Sequence, residues 1–121
     1  MASARSRFKD FTPKPSPPVY QVVEVNASDL ETYTKDYAPK ARAAIIAAGG
    51  KFLAAGGKTT TIEGAPPTNR VVIQQWDSVE KIQAYPDSAA FKDLLPLRNK
   101  LATFRSYTVE GVTHSRRILQ D

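Results

Sequence analysis

The stretch AGGKFLAAGGKTTTIEGAPPTNR, residues 48–70, holds the features that decide the fold. The pair Gly49-Gly50 is typical of a helix end, because glycine readily adopts the positive φ with which many helices finish. The pair Gly56-Gly57 is expected to turn or bulge a strand, and Glu63-Gly64 to end the next one. The stretch therefore predicts a helix end, two short strands and a Pro-rich turn, which form a corner where side chains converge.

On the N-terminal side, VYQVVEV (residues 19–25) is rich in β-branched residues and apolar on both faces, which is typical of a central strand. Ser28 and Glu31 have the S-x-x-E spacing of a capping box, so a helix is expected to begin there. Pro39 should kink this helix near Tyr37, because proline removes a backbone hydrogen bond and clashes with the preceding turn. The predicted buried stripe consists of Leu30, Tyr33, Tyr37, Ala41, Ala44, Ile45 and Ala48.

Within the stretch, residues 51–55 and 58–63 are predicted as strands, and RVVIQQW (residues 70–76) follows as a third. A short helix is expected to open at Ser78 and to end at Pro86. The remaining predicted elements are a helical piece that is capped by Ser88 and interrupted by Pro96, and a last strand at residues 105–112.

The predicted elements follow the order strand, helix, strand, strand, helix, strand of an α+β, ferredoxin-like βαββαβ arrangement, with one extra short strand between the two helices. Right-handed crossovers place both helices on one face of the antiparallel sheet. The strands carry apolar residues on both faces, as with Val71 and Ile73 against Val72 and Trp76, so the face without helices favours a cover made by a second copy of the chain. We therefore expect a homodimer formed through the sheet faces.

The chain has 121 residues, enough for one domain with a single core. We expect a folded domain at residues 19–112, a disordered or strap-like basic arm at 1–18 and a C-terminal tail at 113–121. No apolar run approaches the length of a membrane span, and the N-terminal sequence is not typical of a signal peptide. The sequence thus favours a cytoplasmic protein without a membrane partner.

The net charge of +5 is distributed unevenly along the chain. Most of the basic excess lies in the arm and the tail rather than in the predicted domain. A nucleic-acid-binding module usually concentrates basic charge on a folded face. The charge pattern therefore disfavours nucleic acid as a partner and is better explained by solubilising tails.

The sequence contains few of the residues and motifs that form metal and cofactor sites. The chain has no cysteine, and its one histidine, His114, lies in the tail. This excludes cysteine-based zinc sites and leaves no ligand spacing for a transition metal. The sequence also has none of the spacings typical of phosphate-binding loops, dinucleotide-binding loops or nucleophile elbows, so we expect no cofactor and no nucleotide hydrolysis.

Five segments in this order carry a resemblance to a known family: GGKFLAAGG, IEG, RVVIQQWDSVE, AYPDSAAFKDLLPLR and VEGV. Over residues 19–112 the chain resembles the small bacterial proteins of domain of unknown function family 1330, which are placed in the dimeric α+β barrel superfamily. The resemblance implies that fold and a dimer. It implies no particular activity, because the family has none established and a fold does not fix a function.

The resemblance also marks individual positions. Both glycine pairs and Glu63-Gly64 match the family pattern, and Pro86 departs from it by standing where a second aromatic residue is common. The other matching positions are Arg70, Trp76, Ser78, Tyr85, Ser88, Phe91 and Arg98.

Glu63 is the candidate for proton transfer, because a carboxylate at a strand end, partly buried near Trp76, would have a raised pKa. The alternative for Glu63 is a surface salt bridge to Arg70. Arg98 could clamp a substrate carboxylate with two hydrogen bonds, or form a capping or inter-subunit ion pair. The candidate substrate-binding residues are Tyr37, Arg70, Trp76, Tyr85, Ser88 and Arg98, although both tyrosines and Trp76 also suit a packed core.

Two function classes remain. One is an enzyme that acts without a cofactor on a small organic molecule, by proton abstraction, isomerisation or oxygen addition, in a pocket between sheet and helices. The other is a non-catalytic dimer that binds a metabolite or a protein partner. The enzyme requires Glu63 and Arg98 to share one enclosed pocket, whereas the alternative places Glu63 at the surface beside Arg70.

Overall fold

The computed structural model describes residues 17–113 of the chain. Its elements, in chain order, are β1 Val19–Ala27, α1 Leu30–Thr32, a π-helical turn Tyr33–Tyr37, α2 Ala38–Ala48, β2 Lys51–Ala55, β3 Arg70–Trp76, α3 Val79–Ala84, a 3₁₀ turn Tyr85–Asp87, α4 Ala89–Leu101 and β4 Ala102–Glu110. The predicted arm at residues 1–18 and tail at 113–121 lie outside the described residues, apart from Pro17, Pro18 and Thr113.

In this part of the chain, the strands form one antiparallel sheet in the order β2-β3-β1-β4. β1 lies inside the sheet, where Val22 pairs with Ile73 of β3 on one side and Tyr107 of β4 on the other. Each helical connection carries the chain past one neighbouring strand, as right-handed crossovers in a split βαβ unit do. The predicted ferredoxin-like α+β fold is therefore confirmed.

The helical run from α1 to α2 begins one residue later than the predicted capping box. Asp29 is the cap, since its carboxylate accepts hydrogen bonds from the backbone N–H of Thr32 at 3.2 Å and from the Thr32 hydroxyl at 2.7 Å. The Ser28 hydroxyl donates instead to the carbonyl of Leu101 at 3.2 Å. Both residue types can cap a helix, and Ser28 is held by its contact with the end of α4.

The interruption predicted from Pro39 is present as a change of helix type. The N–H of Ala38 donates to the carbonyl of Tyr33, five residues back, and Pro39 then falls in the first turn of α2, where its missing N–H costs little. The wider turn shifts the phase of the buried stripe. Tyr33, Tyr37 and Ala41 are buried, but Leu30, which was predicted to be buried, is 39% exposed.

The strand predicted at residues 58–63 is wrong, because residues 57–69 form a loop between β2 and β3. The last backbone bond before the loop joins the N–H of Gly56 to the carbonyl of Val71 at 3.0 Å, and Gly56 has a φ of 77°. A strand needs a neighbour for its hydrogen bonds, and β3 already lies between β2 and β1. The Thr-rich composition of the segment favours an extended chain but supplies no partner strand.

Asn69 closes this loop and fixes the start of β3. Its side-chain oxygen accepts from the N–H of Ala27 at 3.1 Å, and its side-chain nitrogen donates to the carbonyl of Ala27 at 2.9 Å. The amide thus replaces the backbone pair that would follow Val25 and Arg70 in the β1–β3 ladder. These two hydrogen bonds to Ala27 hold the neighbouring Arg70 in register on the helix-covered face.

Helices cover one face of the sheet and leave the other face open. The helices pack on one face, where the core cluster contains Val25, Ala27, Tyr33, Tyr37, Ala41, Leu101 and Ala102. On the other face, Tyr107 is 46% and Val109 55% exposed. β4 pairs with β1 from Ala102 to Glu110, so it starts and ends earlier than the predicted strand at residues 105–112.

Candidate functional site

A cavity of about 340 Å³ lies between the sheet and the helices. Strands β1 to β4 supply its floor, and the π-helical turn, α2, α3, the 3₁₀ turn and α4 supply its roof. Ala38 and Ala41 face the space from the first helical run, and their small side chains leave room that larger residues would fill. The volume lies near the lower end of the roughly 300–1,000 Å³ that is usual for ligand pockets.

Arg70, the first residue of β3, lines the cavity. Its Nε is buried and has no hydrogen-bond partner among the described residues. Its guanidinium carbon lies 5.5 Å from the ring centroid of Tyr33, and a Cβ added at Gly56 would collide with its Nη1. The glycine at position 56 therefore gives the guanidinium its space, and the Nε donor is left available for an acceptor.

Arg98 lines the cavity from α4 and stacks on aromatic rings. Its guanidinium carbon lies 3.7 Å from the ring centroid of Phe104 and 5.4 Å from that of Phe91. Stacking engages the flat face of a guanidinium, so the N–H groups in its plane stay available for hydrogen bonds. Arg98 is thus a positive charge held in a defined orientation by apolar surfaces.

Three tyrosines in the cavity wall are neutral donors at neutral pH. Burial raises the pKa of Tyr33 and of Tyr85 to about 12, and it also raises the pKa of Tyr37. The positive charge of Arg98 opposes the increase in all three, and Arg70 opposes it in Tyr33. Desolvation is therefore stronger than the attraction of both cations for a tyrosinate. At neutral pH these hydroxyls donate hydrogen bonds rather than accept protons.

Two glutamines form a polar strip in the floor. Gln21 and Gln74 are paired across β1 and β3 and both line the cavity. The side-chain oxygen of Gln74 accepts a hydrogen bond from Trp76 Nε1 at 2.8 Å, which orients the Gln74 amide. The cavity therefore combines an aromatic lining with polar groups at fixed positions.

The structure separates Glu63 from the other candidate residues. Glu63 is exposed in the loop at residues 57–69 and does not line the cavity, so its predicted partial burial near Trp76 is wrong. The alternative, a salt bridge to Arg70, is not formed either, because no ion pair within 4 Å joins these two described residues. The loop has no partner strand that would turn Glu63 inward.

The remaining predicted residues divide into two groups. Tyr37, Arg70, Tyr85 and Arg98 line the same cavity. Trp76 lies outside the lining and is 2% exposed, with its ring centroid 6.2 Å from that of Tyr85. The Ser88 hydroxyl accepts from the N–H of Phe91 at 3.2 Å and donates to the carbonyl of Tyr85 at 2.7 Å, so it is occupied as the cap of α4.

Sequence reasoning did not include Tyr33, Gln21 and Gln74 among the site residues. A signal for the glutamines was present, because each occupies an inward position of a strand whose inward neighbours are apolar. A polar residue at such a position indicates a polar partner or a cavity. Tyr33 was assigned to the buried stripe, and only the packing shows that its ring also faces open space.

Among residues 17–113, no group of three histidine, cysteine, aspartate or glutamate side chains lies where it could hold a metal ion. Within the same residues, no helix has both the length and the apolar character needed to cross a membrane.

The sheet order and the helix-covered cavity define an α+β protein with a ferredoxin-like fold. The chain belongs to the family described as domain of unknown function DUF1330, which matches residues 18–112. The resemblance inferred from its motifs is thereby confirmed. No curated protein matches the chain.

Solved structures with this fold come from several organisms. RPA0582 from Rhodopseudomonas palustris, of unknown function, is similar with a TM-score of 0.61 and 16% identity, over 82% of this chain and 85% of that one. SnoaB, a cofactor-independent oxygenase from Streptomyces nogalater, has a TM-score of 0.59 and 15% identity, over 84% and 99%. A hypothetical Arabidopsis thaliana protein has a TM-score of 0.58 and 15% identity, over 85% and 96%. At such identities the similarity shows the fold alone.

Proposed function

We propose that this protein is a homodimer that binds a small organic molecule in the cavity between its sheet and helices and transforms it without a cofactor. The observation that carries the proposal is the cavity itself, which brings Tyr37, Arg70, Tyr85 and Arg98 together around about 340 Å³. A space of this size, with an aromatic lining and a few fixed polar groups, is typical of a ligand site.

The chemistry available in the cavity is the stabilisation of negative charge. Three arginines, two of them partly buried, and three neutral tyrosines line it, and such donors stabilise an oxyanion that forms during a reaction. An acidic substrate could thus lose its proton to water while its anion is held by the cavity. Since SnoaB shares the fold, consumption of oxygen is one of the activities to measure.

A second candidate is a non-catalytic metabolite-binding protein. One observation favours it: among the described residues that line the cavity, none is an aspartate, a glutamate or a histidine. The cavity therefore lacks the groups that usually serve as general bases near neutral pH. Binding followed by release of an unchanged ligand would support this candidate over the enzyme.

Ligand binding is tested by filling the cavity. Ala41→Phe places a ring in the space, so we expect it to abolish the thermal stabilisation that small aromatic acids and phenols give the wild-type protein. Ala43→Phe is the matched control, because Ala43 lies on the same helix but is exposed and does not line the cavity. Melting temperatures are measured against a panel of such compounds, and consumption of oxygen and ligand is followed for each hit.

Two results would contradict the cavity as the binding site. One is equal stabilisation of wild type and Ala41→Phe by every ligand, and the other is the absence of any ligand-induced shift in wild type. Should Ala41→Phe fail to fold, Ala38→Phe serves instead, because Ala38 also lines the cavity and is less buried.

The proposed homodimer rests on the face of the sheet away from the helices. There Val22 stands between Ile73 and Tyr107, and Tyr20 stands beside Val109, so an apolar surface crosses three strands. A two-fold axis would let this surface cover itself. We expect sedimentation equilibrium at micromolar concentration to give a dimer mass.

A charge on this face should dissociate the dimer. Val109→Glu is expected to give a monomer, because burying an unpaired carboxylate between two sheets is costly. Ile46→Glu is the control, since Ile46 is similarly exposed, at 52% against 55%, but lies on α2. A wild-type monomer, or a Val109→Glu protein that remains a dimer, would contradict association through this face.

A further inference from the structure

The ionisable residues that line the cavity bias it strongly toward negative ligands. Within the described lining they are three arginines, Arg42, Arg70 and Arg98, and three tyrosines, with no carboxylate among them. Arg42 is exposed and lies over the ring of Phe52 at 5.1 Å, so it belongs to the edge of the cavity. Arg70 and Arg98 are both partly buried and supply the positive charge of the interior.

Neither interior arginine has a carboxylate partner among residues 17–113. The described ion pairs are Lys81 with Asp77 and Arg105 with Glu24, and both lie outside the cavity. Buried or half-buried guanidinium groups are normally satisfied by carboxylates, because an unmatched donor retains its desolvation cost. The clearest example is the buried Nε of Arg70, which has no acceptor among the described residues.

The spacing of the aromatic rings indicates the shape of the ligand. Tyr33 and Tyr37 have ring centroids 5.1 Å apart, and Phe104 lies 6.3 and 6.4 Å from them. Tyr85 and Phe91 form a second pair, edge to face, at 5.3 Å. Flat faces and edges of this kind favour contacts with another planar ring over contacts with an aliphatic chain.

We infer that the ligand is a planar aromatic anion whose carboxylate or ionised phenol oxygen is bound by Arg98 and Arg70. This inference rests on the proposed function, because it uses the same cavity. Arg98 offers in-plane N–H groups beside the rings of Phe91 and Phe104, and Arg70 offers its unpartnered Nε on the side of Tyr33. An oxyanion would supply the acceptor that the described residues do not provide for Arg70 Nε.

Matched ligands separate the charge from the shape. We expect 2-naphthoate to bind at least about tenfold more tightly than 2-naphthamide, which has a similar outline but no charge, because hydrogen bonds to a charged acceptor are the stronger ones. We also expect benzoate to bind more tightly than cyclohexanecarboxylate, which carries the charge without the planar ring. Calorimetry on the full chain measures all four affinities.

Matched variants assign the charge to the two arginines. Arg98→Met and Arg70→Met should each reduce the preference for 2-naphthoate over 2-naphthamide, while the amide binds nearly as before. Lys81→Met is the control, since it also removes one positive charge, but from an exposed position on α3 outside the cavity. Should either methionine variant fail to fold, the lysine variant keeps the charge without the two-pronged geometry and is expected to lose part of the preference.

A phenol with a coloured anion provides a second measurement. Bound 4-nitrophenol should ionise at lower pH than the free compound, because the arginines favour its anion, and this difference should shrink in Arg98→Met. A purely structural role for Arg98 would leave the bound phenol's titration unchanged.

The outcomes distinguish this inference from the proposed function. If naphthoate and naphthamide bind equally and Ala41→Phe abolishes both, the cavity is a ligand site but the inference of an anion is wrong. If neither compound binds wild type, the inferred ligand class is wrong, whereas the wider panel of compounds decides the proposed function. If Ala41→Phe leaves binding intact, the cavity is not the binding site and both proposals are wrong. A preference for naphthoate that persists in both methionine variants would overturn the assignment of the arginines.

Discussion

Replacing Trp76 with alanine should destabilise the protein by about 3 to 5 kcal/mol, the usual cost of removing a buried aromatic ring from a core. Trp76 is 2% exposed and is the chain's only tryptophan. Its indole touches the backbone so closely that a Cβ on Gly50 would lie 2.8 Å from Trp76 Cζ2. Truncation would leave a cavity there and would remove the donor that holds the oxygen of buried Gln74.

Trp76→Phe is the control for the size of the ring. It keeps most of the volume and loses the hydrogen bond to Gln74, so its cost should be clearly smaller than that of alanine. Urea unfolding followed by circular dichroism gives the free energies, because the variants lack the tryptophan fluorescence. A loss below about 1 kcal/mol for Trp76→Ala would show that the indole is not part of a packed core.

Raising the pH from about 10 to about 12 should destabilise the protein through Tyr33. The pKa of Tyr33 is about 12 in the folded chain, chiefly because of burial, against 10.0 for an ordinary tyrosine. In this window the unfolded chain loses the proton while the folded chain keeps it, so the free energy of unfolding falls as pH rises. The contribution is fully present below pH 10 and amounts to roughly 2 kcal/mol for a shift of this size.

Phenylalanine variants isolate this effect. Tyr33→Phe should reduce the alkaline loss of stability between about pH 10 and 12, because it removes the buried hydroxyl whose pKa is raised. Tyr85 has a pKa of about 12 as well, so the double variant of Tyr33 and Tyr85 should reduce the loss further. An unfolding free energy that stays constant over this range in wild type would contradict the burial of both hydroxyls.

The sequence predicted the elements correctly where a pattern depends only on local structure. The β-branched runs of β1 and β3, the caps at Ser78 and Ser88, and the helix end at Gly49 follow from local backbone chemistry. The order of these elements leaves few topologies, because right-handed crossovers exclude most alternatives. For these reasons the ferredoxin-like sheet could be predicted before its register was known.

The prediction failed where the result depends on a partner elsewhere in the chain. Residues 58–63 have a strand-like composition but no neighbouring strand, and Ser28 could cap a helix but contacts Leu101 instead. Glu63 was selected for its place at a predicted strand end, and that strand does not form. The geometry on which its predicted catalytic role depended is therefore not formed.

The sequence by itself determined the helices, most of the strands and their order, because hydrophobic period, capping and turn chemistry act over a few residues. Only the tertiary structure decided the site. Arg70 and Arg98 stand 28 positions apart in the chain, and the small side chains of α2 and the pairing of β3 with β1 bring them to one cavity. A cavity forms where the side chains of several distant elements leave space unfilled. A local sequence pattern does not show that space.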